Sequence, residues 1–189
     1  MLPSNRPLRL SETVSQLGDR NRPMPTPITE GYTPGCIGRI AQLHAQYYAQ
    51  SNGFGVEFEA LVARELGAFC SDYVSGRDGL WLAHGAAGIE GSVVIDGTHA
   101  AELGEEAGAH LRWFITSDAV RGQGLGRQLL GRALAFADAR GYQRTFLWTF
   151  NGLLAARHLY ESHGFRLVHE HAGDRWGSVV LEQKFVREV

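Results

Sequence analysis

The chain has 189 residues, of which 44% are hydrophobic and 20% are charged, and its formal net charge is −2. This balance is typical of a globular domain with a substantial core, and it excludes the basic surplus that is usual in non-specific nucleic-acid binders. We therefore expect no nucleic-acid partner. No stretch reaches the roughly 18 apolar residues of a membrane span, so we expect no membrane segment either.

Cysteine and histidine usage argues against a metal site. The two cysteines, Cys36 and Cys70, form no CxxC pair, and His169 and His171 alternate on a predicted strand without a third ligand. Two cysteines and no apolar signal segment at the N-terminus are typical of a protein of the reducing cytoplasm. We therefore expect a cytoplasmic protein that binds no metal.

The first segment in chain order is rich in proline. Residues 1–30 hold five of the six prolines and few large apolar residues. Such a composition disfavours a packed core, so we predict a tail over 1–30 and one domain over 31–189. A short strand ahead of the first helix is left open.

The domain then alternates between the two hydrophobic periodicities. Apolar spacing of the helical kind runs through 37–50 and 56–74, with "NGFG" between them. The remaining predicted elements are strands over 79–85, 88–97 and 109–117, a helix over 125–141, a strand over 144–150, a helix over 152–164, and strands over 165–171 and 178–185. This order indicates an α/β (α+β) layer with a sheet of mixed strand direction.

Three glycines stand where the third strand passes into the third helix, in "RGQGLGR" (121–127). Glycine is a poor helix former, so the cluster must serve the backbone. Free N–H groups at a helix N-terminus bind anions, and Arg121 and Arg127 add positive charge, which favours a diphosphate site. The alternative is a glycine turn that only starts a tightly packed helix. No GKS or GKT follows, and Arg127 stands where GxGxxG needs its last glycine.

The segment 121–126 resembles the R/Q-x-x-G-x-G/A signature of the GCN5-related N-acetyltransferases, the GNAT superfamily. "LYESHGF" (159–165) resembles the second recurring segment of that superfamily. More narrowly, "LWTFNGLLAARHLYESHGF" and "RWGSVVLEQKF" resemble the acetyltransferase domain fused to MarR-type regulators. The resemblance covers about 31–186 and implies the GNAT fold, with a mixed sheet of six to seven strands, about four helices, and a splay between the fourth and fifth strands.

The resemblance also implies that acetyl-CoA is the co-substrate. The glycine turn would hold its pyrophosphate. The backbone of the superfamily's fourth strand, which corresponds to the predicted strand over 109–117, would hold its pantetheine arm. Many relatives bind pantetheine with an Asn at the position of Leu153, and Asn151 is the candidate replacement. The implied binding residues are Phe114, Ile115, Thr116, Arg121, Gly122, Gln123, Gly124, Leu125, Gly126, Arg127 and Asn151.

Tyr160 matches the tyrosine of the superfamily that protonates the departing thiolate. A phenol near the sulfur can act as a general acid, although a core aromatic on an amphipathic helix is the alternative. No carboxylate lies on the fourth strand, so the general base is left open. The candidates are a chain of waters, Glu57, His110 and the acidic cluster Glu102, Glu105 and Glu106.

The sequence thus predicts an acyltransferase, an acetyl-CoA-dependent N-acetyltransferase in which an amine attacks the thioester directly in a ternary complex. The alternative is a non-catalytic acyl-CoA-binding sensor or regulatory module. The acceptor is expected to be a small-molecule amine or a protein or peptide amine. Aromatic residues of the first two helices could line its pocket or form helix–helix core; they are Tyr47, Tyr48, Phe54 and Phe58. A homodimer is left open.

Overall fold

The computed structural model describes residues 26–100 and 107–189, which form seven strands and four helices. The strands are β1 (Ile28–Glu30), β2 (Gly79–Gly85), β3 (Gly88–Asp96), β4 (Ala109–Thr116), β5 (Arg144–Phe150), β6 (Arg166–Gly173) and β7 (Val180–Glu188). The helices are α1 (Cys36–Asn52), α2 (Val56–Ser71), α3 (Leu125–Ala139) and α4 (Leu154–Ser162). These elements confirm the predicted order.

All seven strands belong to one sheet with the order β1-β2-β3-β4-β5-β7-β6. Only β4 and β5 are parallel, and the other neighbours are antiparallel. The strand number, the four helices and the mixed direction confirm the predicted fold class.

The first strand lies inside the segment predicted as a tail. Ile28 pairs with Ala83 and Glu30 pairs with Trp81, so the sheet starts three residues before the predicted boundary at Gly31. Strand pairing satisfies backbone groups and needs no large apolar side chain, which is why composition did not reveal it. The rest of the predicted tail, residues 1–25, lies outside the described residues.

Helices cover both faces of the sheet. In β2, Leu80 and Leu82 join a core with α1 and α2, whereas Trp81 and Ala83 join a second core with α3. Successive strand residues point to opposite faces, so a strand buried on both sides is apolar at almost every position.

Candidate active site

The sheet opens between β4 and β5. These strands pair only at Ala109 with Thr145 and at His110 with Phe146, although both continue for several residues. Beyond that point no ladder joins them, and the space between the strands is accessible from two sides.

A bulge in β4 lies at the mouth of this opening. The register with β3 passes from Val94–Arg112 to Ser92–Ile115, which leaves one extra residue in β4. The extra residue is at Trp113, whose φ of 42° is a left-handed conformation that is rare for a bulky side chain. The Ser92 hydroxyl donates to the Trp113 carbonyl at 2.7 Å and stabilises it. A bulge of this kind bends the strand and frees backbone groups next to a site.

A cleft of about 620 Å³ lies on the α3 and α4 side of the opening, and we call it the glycine cleft. Nine of the eleven predicted binding residues line it: Phe114, Ile115, Thr116, Arg121, Gly122, Gly124, Leu125, Gly126 and Arg127. The structure does not bring Gln123 and Asn151 to it. Gln123 donates to the Ala119 carbonyl at 3.0 Å, and Asn151 is exposed while Leu153 lines the cleft.

The start of α3 offers unpaired backbone donors to the glycine cleft. Gly124 is the N-cap residue, and no side chain caps the helix. The first helical bond joins the Gln128 N–H to the Gly124 carbonyl at 3.1 Å. The N–H groups of Leu125, Gly126 and Arg127 therefore have no partner within 26–100 and 107–189. Together with the positive end of the helix dipole they form an anion site.

The three glycines meet two different needs. Gly122 and Gly124 have φ values of 75° and 79°, a conformation that favours glycine, and a Cβ at either position would meet nothing within 4 Å. Gly126 has an ordinary helical conformation. A Cβ there would lie 3.4 Å from Phe114 and 3.5 Å from Leu159, so it would narrow the cleft between β4 and α4.

The two arginines of the turn are held differently. Arg121 forms an ion pair with Asp118, donates to the Thr116 carbonyl at 3.1 Å and lies 4.1 Å from the centre of the Tyr47 ring. Arg127 is exposed and has no partner in the described part of the chain. Arg127 is therefore the more available cation for a phosphate.

Tyr160 of α4 lies at the inner end of the glycine cleft. It is buried among the rings of Phe114, Phe165 and Phe185, at centroid distances of 5.9, 6.0 and 6.2 Å. Its hydroxyl has no hydrogen-bond partner among the described residues. Burial, and secondly the neighbouring Tyr48, raise the pKa of the Tyr160 phenol above its usual value. The phenol is therefore a donor throughout the neutral range.

A second cavity of about 380 Å³ lies on the α1 and α2 side of the opening, and we call it the aromatic cavity. It meets the glycine cleft at Tyr48, Phe114 and Tyr160, which line both. Its other aromatic residues are Phe58, Trp113, Trp148, Phe150 and Trp176. A group bound in the glycine cleft and a group bound in the aromatic cavity could therefore meet next to Tyr160.

Two uncharged imidazoles line the aromatic cavity. His44 Nδ1 lies 2.9 Å from the Ile40 carbonyl, which can only accept, so Nδ1 carries the proton and Nε2 is an acceptor. Burial lowers the pKa of His44 to about 4. His110 stacks on Phe146 at 4.4 Å. Burial, followed by the charge of Arg112, lowers the pKa of His110 well below its usual value.

Among the residues that the structure describes, the charged groups that line the aromatic cavity are Glu65, Arg112 and Arg175. Arg112 forms ion pairs with both Glu65 and Asp96. Arg175 lies in the turn between β6 and β7, with its guanidinium 4.5 Å from the centre of the Trp148 ring. The lining acid is thus already paired with an arginine.

The structure separates the candidates for the general base. Glu57 is exposed and does not line the aromatic cavity, whereas His110 does. The acidic cluster Glu102, Glu105 and Glu106 lies outside the described residues.

Both interpretations of the helix aromatics hold, for different residues. Tyr47 lines the glycine cleft, Phe58 lines the aromatic cavity, Tyr48 lines both, and Phe54 is buried against Tyr48 and Phe58. Trp148 of β5 also lines the aromatic cavity.

Sequence reasoning missed His44, Arg175 and Trp176 as lining residues. A histidine on the apolar face of the first helix was the available signal for His44. Nothing local indicates that the last turn lies over the site.

Within 26–100 and 107–189 no group of three or more His, Cys, Asp or Glu side chains could hold a metal ion. None of the helices there is both long enough and apolar enough to cross a bilayer.

A model of the acetyltransferase (GNAT) family matches residues 44–165, nearly two thirds of the chain. No curated protein matches. A solved structure from Pyrococcus horikoshii is similar with a TM-score of 0.66 at 17% identity, over 86% of this chain and 99% of that one. A Salmonella typhimurium structure with its cofactor acetyl-CoA has a TM-score of 0.67 at 16% identity, over 86% and 93%. An Elizabethkingia anophelis GNAT acetyltransferase with acetyl-CoA bound has a TM-score of 0.59 at 19% identity, over 86% and 98%. At these identities the likeness shows a shared fold.

Proposed function

The chain belongs to the acetyltransferase (GNAT) family, and on that premise we propose that it transfers the acetyl group of acetyl-CoA to a primary amine. One observation carries this proposal. The unpaired N–H groups at the start of α3 and the phenol of Tyr160 line the same cleft, and a second cavity meets that cleft at the phenol. An anion site, a proton donor and room for a second reactant are what acyl transfer from a CoA thioester requires.

The glycine cleft could hold two parts of acetyl-CoA, the diphosphate and the pantetheine arm. Its diphosphate would bind the N–H groups of 125–127 and the Arg127 side chain. Its pantetheine arm would lie along β4 at 114–116, where β5 no longer pairs with that strand. Leu153 and Gly152 would contact the arm where relatives have an Asn, so apolar contact replaces one hydrogen bond at that point.

The reaction is a direct displacement. The amine nitrogen attacks the thioester carbonyl carbon, a C–N bond forms, and the C–S bond breaks with its electron pair passing to sulfur. A backbone N–H at the Trp113 bulge would stabilise the oxygen that gains negative charge, and Tyr160 would donate to the sulfur. The amine nitrogen loses one proton to water, and sulfur takes one from the Tyr160 phenol, which regains a proton from water, so the products are an amide and a thiol.

The imidazoles of His44 and His110 line the aromatic cavity, and burial lowers the pKa of both, so they would pass the amine's proton on to a chain of waters and would not keep it. Glu65 is a weaker candidate because Arg112 forms an ion pair with it.

The alternative is a non-catalytic acyl-CoA sensor. The absence of a carboxylate on β4 favours it, whereas the second cavity next to Tyr160 favours an enzyme, because a sensor needs no acceptor site. The deciding experiment measures acetyl-CoA binding by calorimetry and thiol release with amino acids, polyamines, amine antibiotics and peptide N-termini. We expect binding and thiol release with at least one class. Binding without release from any class would support the sensor, and no binding would contradict both functions.

We further propose that the protein works in the cytoplasm on a small-molecule amine or a protein or peptide amine, without a nucleic-acid partner. The narrower likeness to domains fused to MarR-type regulators, and a homodimer, stay predictions. Sedimentation of the purified chain tests the dimer directly.

A further inference from the structure

The turn between β6 and β7 brings one arginine to the aromatic cavity with its donors unused. The backbone N–H of Arg175 donates to Glu182 Oε1 at 3.1 Å, and the Nε of Arg175 forms an ion pair with Glu182 Oε2 at 3.4 Å. The guanidinium lies on the Trp148 ring. Its two Nη nitrogens have no hydrogen-bond partner in the part of the chain that the structure describes. An arginine whose Nε forms an ion pair and whose guanidinium lies on a ring presents a fork that matches a carboxylate.

The other charges of the aromatic cavity do not compete for that role. Arg112 is occupied by Glu65 and Asp96, so its guanidinium has two carboxylates already. Of the two arginines among the described lining residues, only Arg175 keeps both Nη nitrogens unpaired, and the two imidazoles are uncharged. An unpaired guanidinium favours an acceptor that brings an anionic group of its own.

The rest of the lining is apolar and largely aromatic. Trp176 packs against Phe150 at 5.3 Å and Phe58 lies against Tyr48 at 5.2 Å, so rings form the walls on two sides. A volume of about 380 Å³ is near the lower end of the roughly 300–1,000 Å³ found for small-molecule sites, which suits one compact molecule. Aromatic walls favour an aromatic or bulky apolar group.

We propose that the acceptor is a small amine that carries a carboxylate and an aromatic group, the class to which the aromatic amino acids belong, with Arg175 binding the carboxylate. This inference rests on the proposed function, because it assigns the second cavity to the acceptor. The amine would then face the junction at Tyr160, and the ring would lie among Trp148, Phe150 and Trp176.

Matched ligands test each part of the proposal. The set is L-phenylalanine, phenethylamine without the carboxylate, 3-phenylpropanoate without the amine, and L-alanine without the ring. We expect kcat/KM for thiol release to be at least about tenfold higher for L-phenylalanine than for phenethylamine and for L-alanine, as a lost charged hydrogen bond or a lost buried ring predicts. Equal values for phenethylamine would overturn the carboxylate assignment, and equal values for L-alanine would overturn the aromatic one.

Variants locate the effect. Arg175→Gln should lower kcat/KM for L-phenylalanine about tenfold and change it less than about twofold for phenethylamine, because only the first ligand uses the guanidinium. Arg175→Lys keeps the charge and should retain part of the preference. Arg166→Gln, an exposed arginine of β6, is the matched control and should leave the preference unchanged. Since both ligands are measured on each variant, general damage to the fold lowers both values, and a preserved ratio in Arg175→Gln would overturn the assignment.

Binding separates failure of this inference from failure of the proposed function. Trp148 and Trp176 line the cavity, so their fluorescence should change when a ligand binds to the protein saturated with CoA. If no amine releases thiol, the proposed function fails, and tighter binding of L-phenylalanine and 3-phenylpropanoate than of phenethylamine would still support a carboxylate site. If amines are acetylated but the two carboxylates bind no better than phenethylamine, only this inference fails.

Discussion

Replacing Tyr160 by Phe removes one hydroxyl and keeps the ring that packs against Phe114, Phe165 and Phe185. The hydroxyl has no hydrogen-bond partner among the described residues, so we expect the free energy of unfolding to change by less than about 1 kcal/mol. If the phenol donates to the leaving sulfur, the chemical step should slow about 10²-fold, which corresponds to about 2.7 kcal/mol of activation free energy.

The dependence of this loss on pH follows from burial. Burial raises the pKa of Tyr160 above its usual 10, so the phenol stays protonated up to at least that pH. The ratio of the wild-type and Tyr160→Phe rates should therefore be the same at pH 7 and pH 9. A ratio that falls between these values would mean that the group titrates lower than a buried phenol does.

The matched control is Tyr48→Phe, because Tyr48 is the other phenol at the junction of the two cavities. Single-turnover acetyl transfer at saturating acetyl-CoA isolates the chemical step, and calorimetry shows whether acetyl-CoA affinity is unchanged. The reasoning is refuted if Tyr160→Phe stays within a few-fold of the wild-type rate with chemistry limiting. If instead Tyr48→Phe loses about 10²-fold, the donor is on α1.

Gly124→Asp should abolish acetyl-CoA binding at a small cost in stability, because Asp tolerates a positive φ but places a negative charge at the unpaired N–H groups. Gly124→Asn has the same size without the charge, so calorimetry should show at least about tenfold tighter binding for Asn than for Asp, and equal binding would contradict the anion site. Acidification should destabilise the fold through His44. The pKa of His44 falls from 6.5 to about 4 on folding. The free energy of unfolding is therefore highest above pH 6.5 and decreases towards pH 4, by about 3 kcal/mol. Urea unfolding at pH 7 and pH 4 gives the loss of free energy of unfolding on acidification, which should be smaller for His44→Gln than for the wild type. An equal loss in both proteins would show that His44 does not titrate on unfolding.

Most elements could be predicted because their signals are local. The helix over 125–141 has an apolar stripe and glycines at both ends, and the structure has α3 at Leu125–Ala139. The exception is β1, whose residues Ile28–Glu30 carry no periodic pattern. That strand exists because β2 offers it backbone partners, which depends on the sheet edge being free.

Part of the candidate site could be predicted for the same reason. A glycine turn before a helix predicts unpaired N–H groups, and the structure has them at 125–127. Asn151 is the candidate replacement because it lies two residues before Leu153, where relatives have an Asn. It follows β5 in an exposed turn, where its N–H binds the Leu181 carbonyl of β7 at 2.9 Å, so the neighbouring strand and not the spacing decides its position.

The sequence by itself determined the periodicities, the glycine turn and the tyrosine of α4. Each of these signals is local, because it depends on residues that lie within one element or in two neighbouring elements of the chain. The tertiary structure alone decided that His44 of α1, Trp113 of β4 and Arg175 of the last turn line one cavity. Those residues are far apart in the chain and share no pattern. They meet because β4 and β5 separate after two paired positions and the helices and the last turn close over the gap.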